Sequence, residues 1–147
     1  MEDVYGELLA RKRVAFEPQG FTPRPMPDDM HPHQADVTRF AIETGCAALF
    51  LDTGLGKTLC ALEWADQVQA HTGRPVLMFA PLAVGDQHTR EAERFGYAAR
   101  QVRDQGEVDA HGEVCTYITN YERLDKFDLS RFGGVVLDES SILKSFI

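Results

Sequence analysis

An apolar run, Ala47-Ala48-Leu49-Phe50-Leu51, leads into the turn Asp52-Thr53-Gly54-Leu55-Gly56. This turn opens through Lys57-Thr58 into the helical pattern Leu59-Cys60-Ala61-Leu62-Glu63-Trp64-Ala65. Strand, glycine turn and helix in direct succession restrict the chain to α/β architectures in which a helix starts at the carboxyl end of a strand. The turn has the character of a phosphate-binding loop. Its glycines let backbone N–H groups converge on phosphate oxygens with no Cβ in the way. The helix start adds unpaired N–H donors and a partial positive charge. Lys57 is suited to the β- and γ-phosphates of a nucleotide, and the Thr58 hydroxyl to Mg²⁺. The strict form of the pattern has glycine where this chain has Leu51. A glycine turn ending in Lys-Thr also arises in ordinary surface loops, so the flanking strand and helix carry the reading.

The chain has 147 residues, enough for one domain with its own core. Its hydrophobic content of 44% and charged content of 26% are ordinary for a globular protein. No apolar run approaches the length of a membrane span. The acidic start Met1-Glu2-Asp3 is unlike a signal peptide, so a cytoplasmic location is expected. Cys46, Cys60 and Cys115 are odd in number, lack metal-site spacing and read as small buried residues. The net charge of −8 argues against broad, non-specific attraction to nucleic acid and leaves room only for a local groove.

Residues 1–30 read as a leader, with a proline-rich extended connector from Glu17 to Pro27. The connector lies on the folded body or forms a loose tail. Residues 31–147 read as the domain. Pro32 opens a helix that ends at Gly45, with Val37, Phe40 and Ala41 at inward spacing. The next helix runs from about Thr58 to His71, with Leu59, Leu62, Ala65 and Val68 inward and Gly73 as its stop. Val76–Ala80 is a strand buried on both faces, and a helix from Gly85 or Asp86 ends at Gly96. Tyr97–Val102, Val114–Thr119 and Gly134–Asp138 complete the strands. Alternating strands and helices predict a mostly parallel sheet flanked by helices.

The second chemical signal is Val135-Val136-Leu137-Asp138-Glu139, an apolar strand ending in two acids. Such a strand delivers Asp138 to the crevice as a holder of Mg²⁺, and Glu139 as the group that orients and deprotonates an attacking water. An ordinary polar strand end looks the same in isolation, and the pair gains weight only beside the loop lysine. His71, His88 and His111 suggest no metal site, and Trp64 reads as packing.

Together these segments resemble the first RecA-like lobe of superfamily 2 helicases and translocases. Within that group the likeness is to phage-type DEAD/DEAH-box helicases and Swi/Snf-type DNA translocases. It covers roughly residues 21–147. His31-Pro32-His33-Gln34 resembles the glutamine element, residues 52–58 motif I, residues 76–84 motif Ia, residues 116–124 motif Ib, and Leu137-Asp138-Glu139-Ser140-Ser141 motif II. The resemblance implies a P-loop NTPase lobe that binds ATP and Mg²⁺. Nucleotide would be held by Gln34, Thr53, Gly54, Leu55, Gly56, Lys57 and Thr58, with metal on Thr58 and Asp138. Catalysis would fall to Lys57, Asp138 and Glu139.

The same resemblance assigns nucleic acid, DNA in particular, to Pro81, Leu82, Thr119 and Asn120. Blander roles exist: Gln34, which by the resemblance would read the adenine edge, as a solvated residue near a helix start, Pro81 and Leu82 as a strand terminus, Thr119 and Asn120 as turn caps. Phe16 and Phe21 are candidates to stack on the base or to pack the leader. Ser140-Ser141 departs from the usual motif II ending. The likeness also implies an incomplete lobe ending just after motif II, with the second RecA-like lobe and its arginine fingers absent. Arginine fingers are worth about 10³–10⁵ in rate, so the single lobe is expected to be nearly inactive as an ATPase. A phage protein of this kind would work in the host cytoplasm. Two other classes remain open: a nucleotide-binding regulatory module without motor activity, and a small phosphotransferase, for which Arg100 and Arg103 make too sparse a basic lid.

Overall fold

The computed structural model describes residues 18–49 and 56–139. It is an α/β structure built on a four-stranded, all-parallel sheet. Helix α1 spans Pro32–Thr44, α2 Lys57–Thr72, α3 Gly85–Phe95 and α4 Gln105–His111. Strand β1 is Val76–Ala80, β2 Ala99–Gln101, β3 Thr116–Asn120 and β4 Gly134–Leu137, in the order β2-β3-β1-β4. Short 3₁₀ turns occupy Leu82–Val84, Tyr121–Lys126 and Leu129–Arg131.

The central strand β1 is buried along its whole length, as its unbroken apolar run predicts. Its side chains alternate between two cores. On one face Met78 and Ala80 meet Leu62 of α2, Ala92 of α3 and Ile118 of β3. On the other, Leu77 and Phe79 meet Tyr117, Tyr121, Phe132 and Val108 of α4. Each fully buried large side chain contributes about 1.5–3 kcal/mol, so these two layers dominate the stability of the sheet. All four residues expected to face inward on α2 (Leu59, Leu62, Ala65 and Val68) are buried.

Several expectations need correction. The buried face of α1 is Gln34, Thr38, Ala41 and Ile42, and Phe40 is 55% exposed. Of the three residues expected inward, Ala41 is buried and Val37 half-buried, and only Phe40 faces solvent; two polar residues, Gln34 and Thr38, occupy part of the buried stripe. Residues 47–49 of the expected loop strand have no regular structure, and Ala47 and Ala48 are exposed. Alanine has little β-propensity, and these residues pair with no strand among the described residues. The remainder of that strand and the loop itself, residues 50–55, lie outside the described residues, as do residues 1–17 with Phe16, and 140–147. Cys46 is exposed, while Cys60 and Cys115 are buried. Helix α4 was not anticipated.

Residues 18–30 have little regular structure and lie on the body. Gln19 and Phe21 N–H groups donate to the Thr44 and Ile42 carbonyls at 3.1 and 3.2 Å. Between them Gly20 passes so close to α1 that a Cβ would stand 1.8 Å from the Ile42 oxygen. Phe21 stacks flat on His71 at 4.0 Å.

Candidate functional site

Parallel register carries the ends of β1, β3 and β4 to one edge of the sheet, where Ala80 is level with Asn120 and Phe79 with Leu137. Asp138 continues the ladder by one bond, its N–H donating to the Phe79 carbonyl at 2.9 Å. Glu139 follows with φ +53°, the one positive φ on a non-glycine residue among the described residues. A side chain held there costs about 1–3 kcal/mol, and such strain gathers at functional sites.

At the same edge α2 begins. Gly56 caps it in the left-handed conformation, φ +77°, and a Cβ on Gly56 would lie 2.0 Å from Gln34 Nε2. The next residue, Lys57, reaches Glu139, with Nζ 3.4 Å from Oε1. Both side chains are exposed, so the pair adds under about 1 kcal/mol. Its interest is positional: residues far apart in the chain meet at the carboxyl end of the sheet. Thr58 sits half-buried on the first turn of α2. Thr53, Gly54 and Leu55 lie outside the described residues.

Gln34 is buried beneath this helix start, and its Oε1 accepts the His31 N–H at 2.9 Å. It thus completes half of a capping box on α1, and its burial overturns the reading of Gln34 as a solvated residue.

Asp138 is held at three points. Besides its ladder bond, its carbonyl accepts the Tyr121 hydroxyl at 2.5 Å. Its Oδ2 lies 2.7 Å from Nε2 of His88 on α3. Burial pushes the Tyr121 phenol up to about 12, helped by the charges of Asp138 and Glu139, so it stays a donor. Neither His88 nor Tyr121 was singled out as a site residue. The contacts span 50 and 17 positions and have no local signature.

Among the described residues no three His, Cys, Asp or Glu side chains gather as a metal cage. Mg²⁺ does not need one: it commonly takes one or two carboxylates, keeps several waters and binds substrate phosphates. Asp138 suits that mode. One carboxylate oxygen is held by His88, and the other makes no hydrogen bond among the described residues.

A cleft of about 440 Å³ lies along the same sheet edge on the β2–β3 side, separate from Lys57 and Asp138. Pro81, Leu82, Thr119 and Asn120, the four candidates for nucleic-acid contact, all line it together with Arg103 and Arg123. Thr119 Oγ1 and Asn120 Oδ1 are buried and have no hydrogen-bond partner among the described residues. A buried polar atom left unpaired costs about 1–3 kcal/mol. Arg103 pairs with Glu107 at 2.8 Å, so the cleft is of mixed charge.

Among the described residues no helix is long and apolar enough to cross a membrane. Comparison with protein-family models, curated proteins and solved structures finds no match.

Proposed function

We propose that this chain is a RecA-like, ATP-binding lobe of an ATP-dependent helicase or translocase acting on nucleic acid, DNA in particular. The observation that carries this reading is the meeting of Lys57 with Glu139, beside Asp138, at the carboxyl edge of a parallel sheet. In open α/β sheets ligands bind at that edge. On this reading Lys57 gives up its contact with Glu139 to hold the terminal phosphates. Asp138 and Thr58 would hold Mg²⁺, which neutralises charge on the phosphate oxygens when bound. Glu139, released, orients the attacking water and accepts its proton. The cleft beside this site, lined by Arg103, Arg123, Thr119 and Asn120, is the proposed groove for a strand backbone.

Binding of a fluorescent ATP analogue with Mg²⁺, measured on the wild type and on Lys57→Ala, tests the nucleotide half. Affinity unchanged by the substitution sinks it. Supplying a second RecA-like lobe tests the motor half: ATP hydrolysis should then rise when DNA is added. No stimulation by any DNA or RNA argues for the other class, a nucleotide-binding regulatory module. The net charge of −8 and Glu107 within the cleft favour that alternative.

A further inference from the structure

We propose that His88 is a positioning residue for the metal-binding carboxylate, locking Asp138 so that one oxygen is presented to a divalent cation. The proposal rests on the nucleotide reading above and adds a residue to it. His88 and Ala92 are the buried residues of α3, a helix whose remaining side chains are half-buried or exposed. An imidazole here is expensive. Its Nδ1 is buried with no partner among the described residues, where an apolar side chain would fill the space without that cost. What the imidazole supplies in return is the 2.7 Å bond to Asp138 Oδ2, at the short end of the N–H···O range.

A carboxylate only accepts, so Nε2 must be the donor. That fixes the ring's orientation: Nε2–H points at Asp138, and in the neutral imidazole Nδ1 is then an acceptor, which tolerates isolation better than a buried N–H. The side chains are 9% and 21% exposed, so water competes little for the bond. Ladder and phenol bonds already fix the backbone of Asp138. His88 removes the remaining freedom, rotation of the carboxylate. Groups that hydrogen-bond a metal-ligating side chain in this way typically change metal affinity about 10–100-fold when removed.

The test uses the full chain and a fluorescent ATP analogue, titrated with Mg²⁺ and also measured in chelator. His88→Leu should raise the half-saturating Mg²⁺ concentration at least about tenfold while leaving metal-free nucleotide affinity unchanged. His88→Gln, which keeps a side-chain N–H donor, should restore most of the loss. Equal Mg²⁺ dependence in wild type and His88→Leu overturns the proposal, as does an equal loss with and without metal. If His88→Leu fails to fold, the wild type decides by ring ¹H–¹⁵N NMR. The His88 Nε2–H signal should be shifted by its carboxylate partner, should revert in Asp138→Asn, and should persist when Mg²⁺ and nucleotide are added. Its disappearance on loading overturns the proposal. Wild type that binds no nucleotide refutes the functional reading and this proposal together, whereas Mg²⁺-dependent wild-type binding with an unaffected His88→Leu refutes this one alone.

Discussion

Two residues at the start of α2 separate function from stability. Lys57 touches Glu139 through an exposed pair worth under about 1 kcal/mol. Lys57→Ala should therefore leave the thermal midpoint nearly unchanged while removing most ATP affinity, about tenfold or more for a lost charge-assisted phosphate contact. A melting curve and a nucleotide titration on the same sample check both halves. Gly56 is the reverse case. A Cβ there meets the Gln34 amide at 2.0 Å, and φ +77° is hostile to any L side chain. Gly56→Ala should destabilise the chain by about 1–3 kcal/mol in urea unfolding. Gln34→Ala alone removes a cap of α1, so the double variant is compared with that single one: the steric part should be gone and the backbone strain left, and no remaining difference would show that φ at Gly56 is not constrained.

Between elements, a buried polar link runs through Glu63 on α2. This buried carboxylate accepts the Tyr97 hydroxyl at 2.5 Å and the Gln67 amide at 2.8 Å, and Gln67 in turn accepts the Arg24 backbone N–H. The network ties the residues after α3, and the proline-rich segment, to one helix. Tyr97→Phe strips a donor from a buried charge and should cost about 1.5–3 kcal/mol in urea unfolding. The half-exposed Arg24→Ala should cost under about 1 kcal/mol. A Tyr97→Phe effect as small as that of Arg24→Ala would mean that water replaces the phenol. None of this network was legible in the sequence, because it depends on side chains from segments that meet only in the folded chain. The elements were more legible, since proline, glycine and apolar period are local signals. Pro32, Gly45, Gly73 and Gly96 bound their helices as expected, and Val76–Ala80 is the central strand. Helix α4 was also readable and was missed: Asp104 accepts the Glu107 N–H at 2.9 Å, the Asp-x-x-Glu start signal. The meeting of Lys57 with Glu139 followed from two motifs read against one fold class. The part of His88 followed from neither, because nothing beside it in the sequence points to Asp138.

The chain as a whole has two properties that its parts do not. The first is alkaline sensitivity. Burial pushes Tyr117 up to about 12 and also raises Tyr97, where a hydrogen bond to Glu63 adds to burial. The unfolded chain loses these protons near the ordinary phenol value of 10.0, while the folded chain keeps them. Their stabilisation is therefore full below pH 10 and declines as pH rises through 12. Thermal midpoints should fall over that window, and Tyr117→Phe should flatten the fall although it weakens the protein at neutral pH. The second property is a net charge of −8 set against a cleft holding Arg103 and Arg123. The overall field repels a polyanion, so on the proposed reading any attraction is local and strongly dependent on salt. Each arginine that neutralises one phosphate contributes about one unit to the slope of log affinity against log salt. With labelled oligonucleotides between about 50 and 200 mM salt, Arg103→Ala and Arg123→Ala should each flatten that slope by about one unit, alike for different sequences. Thr119→Val should weaken binding without changing the slope, because it removes a neutral hydrogen bond. If both arginine variants keep the wild-type slope, the cleft is not the strand groove. If no oligonucleotide binds at any salt while the ATP analogue still does, the regulatory-module reading replaces the motor.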